Sequence, residues 1–184
     1  MAKMNKFYLM LILCSFQACL NPEEIETVDN PDMEKVDTLL RRNFREVVET
    51  VGEKRILLDG KKEINEVKLD TALLAKDLER ILNIDFSKII SSTSYDLSQK
   101  ANEYSYLRKT NENYGPIAVV VRKDQNEAIS GLIVSFDESN FLYSSTREYE
   151  LLFQDSKLIE YRIAGSQKII GLDASVFETQ TVIK

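Results

Sequence analysis

Few residue types in this chain could carry chemistry, and their spacing narrows them further. The 184 residues include no histidine, which excludes a Ser-His-Asp triad, a Cys-His pair and any imidazole zinc site. Both cysteines, Cys14 and Cys19, lie near the start, so the body of the chain has no thiol nucleophile and no internal disulfide. Carboxylates and tyrosines remain. Glu148 and Glu150 stand two apart in a strand-like run, which sets them on one face about 7 Å apart, inside the range of a glycosidase pair. Glu160 and Arg162 repeat that spacing. Exposed sheets use the same pattern for cross-strand ion pairs, and that is the expectation for these four. DQNEAISG, from Asp124, brings Asp124, Asn126 and Glu127 together, but an EF-hand loop needs Gly at its sixth position and Glu at its twelfth. This chain has Ile129 and Ser135 there, so the segment reads as a hairpin turn. No catalytic residue, metal ligand or cofactor is expected.

Tyrosine offers recognition rather than catalysis, because it joins a large contact area to a polar tip. Tyr95, Tyr104, Tyr106, Tyr114, Tyr143, Tyr149 and Tyr161 all fall in the second half of the chain. Of these, Tyr104, Tyr106, Tyr149 and Tyr161 are the candidate ligand or partner contacts if they share an exposed face; otherwise they flank the core. A nucleic-acid partner is not expected, since the net charge is −6 and phosphate binding needs clustered Lys and Arg.

The first two dozen residues say where such a protein would work. Lys3 and Lys6 precede an apolar run from Phe7 to Phe16, and Ala18 stands before Cys19. A run of about ten residues is too short to span a bilayer, which takes about 20, and suits the apolar core of a signal peptide. This pattern resembles the signal of bacterial lipoproteins, in which a small residue precedes the cysteine that is lipidated and becomes N-terminal. Ala18 and Cys19 match; Phe16 and Gln17 depart from the usual residues of that box, and Cys14 follows the bulky Leu13. The resemblance implies removal of residues 1–18, acylation of Cys19 by a diacylglycerol and an amide-linked chain such as palmitate, and a firm membrane anchor. LNPEEIETVDNPD then reads as a tether over 19–31, and Glu23 and Glu24 loosely resemble a signal for surface display.

A single domain is expected over 32–184. Asp32, after Pro31, is placed to cap a helix whose stripe is Val36, Leu39, Leu40, Phe44, Val47, Val48 and Val51, with Gly52 to end it. Asp59-Gly60 predicts a hairpin over 54–69. Asp70 should cap a second helix lined by Leu73, Leu74, Leu78, Ile81 and Leu82. From Ile89 onward the period becomes two, with runs near 91–98, 103–110, 116–123, 128–136, 141–153, 157–164, 167–171 and 174–183. The expected fold is therefore α+β: two N-terminal helices and a hairpin packed on a curved antiparallel meander sheet. LERILNIDFSKIISSTSYDL is similar to segments of small Gram-negative envelope lipoproteins, which brings no activity with it. The chain reads as a non-enzymatic, lipid-anchored envelope protein, outer-membrane attached and facing periplasm or surface, that binds a partner such as an envelope protein, or a ligand, through its sheet or the end of its meander. The alternative is a carrier holding an apolar ligand between sheet and helices.

Overall fold

Apolar spacing of three and four gives way to spacing of two, and the chain changes from helix to sheet accordingly. The computed structural model describes residues 33–91, 94–109 and 115–184. The expected signal peptide and tether, Cys19, the expected cap Asp32 and Tyr114 lie outside the described residues.

Helix α1, Met33–Glu46, buries Met33, Val36, Leu39 and Leu40. It ends before its apolar stripe does, which corrects the expectation that it runs to Gly52. Glu49 has a positive φ of 70°, and the Thr50 hydroxyl donates to the Val47 carbonyl at 2.7 Å, turning the chain. The β-branched residues Thr50 and Val51 then enter strand β1, Thr50–Leu58, where their stiff side chains fit an extended backbone. The hairpin is present: β1 pairs with β2, Lys61–Leu69, around Asp59 and Gly60, both at positive φ, as a tight turn of this type requires. The Asp70 carboxylate accepts a hydrogen bond from the Leu73 backbone N–H at 2.7 Å, which starts helix α2, Thr71–Leu82. A third, short helix, α3 at Phe86–Ser91, occupies the start of the predicted period-two region; Phe86 and Ile89, three apart, are both buried.

The strands that follow are β3 (Tyr95–Lys100), β4 (Glu103–Arg108), β5 (Ala118–Lys123), β6 (Ile129–Ser139), β7 (Tyr143–Gln154), β8 (Lys157–Ile169) and β9 (Ser175–Ile183). They form one open nine-stranded sheet of order β2-β1-β9-β8-β7-β6-β5-β4-β3, antiparallel at every pairing. Two details differ from expectation. The hairpin is not laid on the meander but joined to it through β9. The runs at 157–164 and 167–171 are one strand, because Gly165 and Ser166 keep their pairing to both β7 and β9.

Register places one set of side chains toward the helices. Tyr104, Val121, Leu132, Leu151, Tyr161, Thr181 and Lys54 form a row of cross-strand partners on that inner face, and all are buried. The next row, Tyr106, Val119, Val134, Tyr149 and Ile163, is also buried. Beyond it burial falls away through Phe136, Arg147, Phe177 and Leu58. The helices therefore close the base of the inner face, where α1 meets the β7–β8 turn: Asn43 accepts from the Leu158 N–H at 2.6 Å and donates to the Ser156 carbonyl at 3.0 Å. The opposite end carries the β1–β2, β6–β7 and β8–β9 connections.

Candidate functional site

The four candidate tyrosines are brought together, but in the core. Tyr104, Tyr106, Tyr149 and Tyr161 are 4, 2, 1 and 0% exposed, so they do not form an exposed contact surface. The alternation that puts Tyr104 and Tyr106 on one face is real; that face is the one turned toward the helices. Burial holds the Tyr106 hydroxyl well above the ordinary tyrosine value. Tyr161 is shifted the same way by burial, with the Asp77 carboxylate beside it adding to the effect.

Tyr161 belongs to a polar cluster that links α2 to the sheet. Its hydroxyl donates to Asp77 Oδ2 at 2.9 Å, and Lys54 Nζ meets the same oxygen at 2.6 Å. Lys54 comes from β1, Tyr161 from β8 and Asp77 from the helix face above them. Every polar tip in this trio has a partner, and a group so satisfied ties elements together rather than waiting for a substrate. Asn43 is a second buried polar residue that sequence reasoning missed. Its only signal was its place four residues after Leu39, on the apolar side of α1.

The carboxylates of the outer face behave as exposed sheet charges. Arg162 lies 3.2 Å from Glu150, 3.6 Å from Glu148 and 3.7 Å from Glu178. Arg122 lies 2.9 Å from Glu103 and 3.5 Å from Glu150, and Glu160 accepts from Gln180 at 2.7 Å. Glu148 and Glu150 thus share an arginine, as cross-strand pairing anticipated, instead of facing each other across a cleft. The Asp124 segment is the hairpin turn it was expected to be, with its carboxylate accepting from the Asn126 and Ala128 N–H groups at 2.7 and 3.0 Å. Among the described residues no group of three or more Asp, Glu, His or Cys side chains is placed to hold a metal ion. None of the described helices is long and apolar enough to cross a membrane.

Among the described residues, several large exposed apolar side chains lie at the end of the sheet away from α1. Phe141 is 87% exposed, and Leu142, Ile170, Leu172 and Val176 are each more than half exposed. These residues are held there. Asn140 accepts from the Leu142 N–H at 2.9 Å, and the Ile170 N–H donates to the Leu142 carbonyl at 2.9 Å, fastening the β6–β7 loop to the β8–β9 loop. Asp59 accepts from the Val176 N–H at 2.9 Å and from Ser175 Oγ at 3.0 Å, fixing the β1–β2 turn against β9. Leu58, 50% exposed, borders this end on the inner face, and Leu57, 39% exposed, stands on the outer face.

Two clefts sit at the other end. One of about 390 Å³ lies between α1 and the β5–β6 and β7–β8 turns, with Glu34, Lys35, Arg42 and Glu127 on its walls. The other, about 630 Å³, separates α1 from the α2–α3 junction and carries Glu34, Asp37, Arg41 and Asp85. The first also presents Leu39, Ala128 and Ile129, so its walls are mixed in character. The chain matches no family model, no curated protein and no solved structure.

Proposed function

We propose that the chain is a lipid-anchored cell-envelope protein, tethered through Cys19, that works as a non-enzymatic binding module of α+β build. The observation that carries this reading is the exposed apolar end formed by Phe141, Leu142, Ile170, Leu172 and Val176. Exposed apolar side chains on loops held in place by backbone hydrogen bonds are what a docking site offers, and leaving them bare carries an aggregation risk that a functionless loop would not need to run. Helix α1 lies at the base of the sheet, at the end opposite the apolar loops. The carrier alternative finds less support, because buried side chains from sheet and helices meet in one cluster.

The test compares wild type with the double variant Phe141→Ser/Leu172→Ser, each captured from its native envelope after cross-linking. A protein that is enriched with wild type and lost from the double variant at least tenfold supports the reading. Identical profiles would remove it. Cys19→Ser examines the anchor separately: it should abolish acyl labelling and release the protein from membranes, and retention of both would exclude lipidation at Cys19.

A further inference from the structure

The sheet is open, and its two edges are unequal. Strand β3 offers six residues, whereas β2 offers nine, Lys61–Leu69. Residues 61–66 of β2 are all exposed, on both faces of the sheet, and the strand pairs only with β1. A long edge without proline or bulge presents a row of free backbone N–H and C=O groups to any strand that fits beside it. Its side chains decide what fits.

We propose that β2 is a self-association edge, pairing antiparallel with β2 of a second copy about a twofold axis through Ile64. The argument rests on register. In an antiparallel ladder two facing residues either both turn their backbone groups toward each other or both turn them away, so two copies of one strand can pair only if the numbers of facing residues sum to an even value. Four such registers keep the centre of β2 in contact. Pairing about Glu63 sets Glu63 against Glu63, pairing about Glu66 sets Glu66 against Glu66, and pairing about Asn65 sets Lys62 against Lys68, each a like-charge contact. Pairing about Ile64 gives Lys62 opposite Glu66 twice, Ile64 against Ile64 between them, Glu63 opposite Asn65 and Lys61 opposite Val67. It alone of the four has no like charges face to face. Ile64 is 53% exposed, and the symmetric contact would cover it. Glu66 already meets Lys184 at 3.1 Å through one oxygen, but both groups are more than half exposed, and an exposed pair of that kind does not hold the carboxylate from a second cation. Lys62 makes no ion pair among the described residues. A twofold contact uses the same patch on both copies and closes, so it yields a dimer with a continuous sheet rather than a filament.

This inference stands apart from the apolar end and can fail without it. The full chain, purified in mild detergent, is examined by sedimentation velocity across a hundredfold concentration range. Wild type should shift from monomer to dimer. Lys62→Glu and Glu66→Lys should each weaken the dimer by about tenfold or more, since each turns two attractive contacts into two repulsive ones. Mixing the two single variants should restore association, because every contact between the unlike copies is again Lys against Glu. The double variant Lys62→Glu/Glu66→Lys should restore it within one chain. Both positions are exposed, so thermal unfolding confirms that each variant is folded. A wild type that stays monomeric throughout overturns the proposal. So does a dimer indifferent to Lys62→Glu, or a mixture that associates no better than its components.

Discussion

The two ends of the inner sheet face use the same alternation for opposite purposes. At the base, a row from Tyr104 to Lys54 is roofed by helices, and even its charged member is buried and paired with Asp77. Toward the far end the same face continues through Phe136, Phe177 and Leu58 with progressively less cover, and the loops beyond it hold Phe141 and Leu172 in solvent. Strand periodicity alone does not distinguish these regions. What differs is whether a helix reaches over them. The base spends its apolar surface on stability, and the far end leaves its own surface available.

The largest test of that contrast is at Asp77. Asp77→Ala leaves the Lys54 ammonium and the Tyr161 hydroxyl without their shared acceptor in a nearly water-free layer. Breaking a buried pair from one side is costly, because the remaining charge keeps its desolvation penalty. A loss of about 3 kcal/mol is expected in urea unfolding. A loss below about 1 kcal/mol would mean that the trio is an incidental contact and that α2 is held by its apolar face alone.

Alkaline titration reads the same layer through a different group. The hydroxyls of Tyr106 and Tyr161 ionise at higher pH in the folded chain than in the unfolded one, because burial disfavours the phenolate. The sign follows from linkage: below the unfolded value near pH 10 their contribution to stability is complete, and as pH rises past it the unfolded chain releases protons first and stability falls. Phenolate absorbance should therefore show Tyr106 and Tyr161 ionising only together with loss of the folded circular dichroism. Phe substitutions at these two sites should remove that late step. A single smooth titration in the folded state would show that the base admits water.

Much of this was legible locally, and what failed was mostly tertiary. Asp59-Gly60 and Asp70 are read correctly because a turn and a cap are fixed by a few adjacent residues. The alternation of LIEYRI identifies a two-faced strand for the same reason. The stripe from Val36 to Val51 misleads because a β-branched run can extend a helix pattern in sequence while its backbone has already joined a sheet. The tyrosines stay between two readings, exposed contact or core, because alternation shows that Tyr104 and Tyr106 share a face while no local signal tells which face α2 will cover. The apolar end was missed because Phe141 and Leu172 sit in connections, and only the sheet's strand order makes those connections neighbours.

The smallest expected effect closes the comparison from its other side. Phe141→Ser/Leu172→Ser removes two large apolar side chains, a change that in the base would cost several kcal/mol through lost burial and a cavity. Here Phe141 is 87% and Leu172 63% exposed, so folding removes little of their surface from water and leaves no cavity when they are cut back. The hydrogen bonds that shape their loops come from Asn140 and the backbone, and serine preserves them. Unfolding free energy should change by no more than about 0.5 kcal/mol. A stability loss above about 1.5 kcal/mol would show that Phe141 and Leu172 pack on something within the same chain and that the far end is core rather than a free surface. Stability unchanged with partner capture lost would separate the two ends as the exposures do.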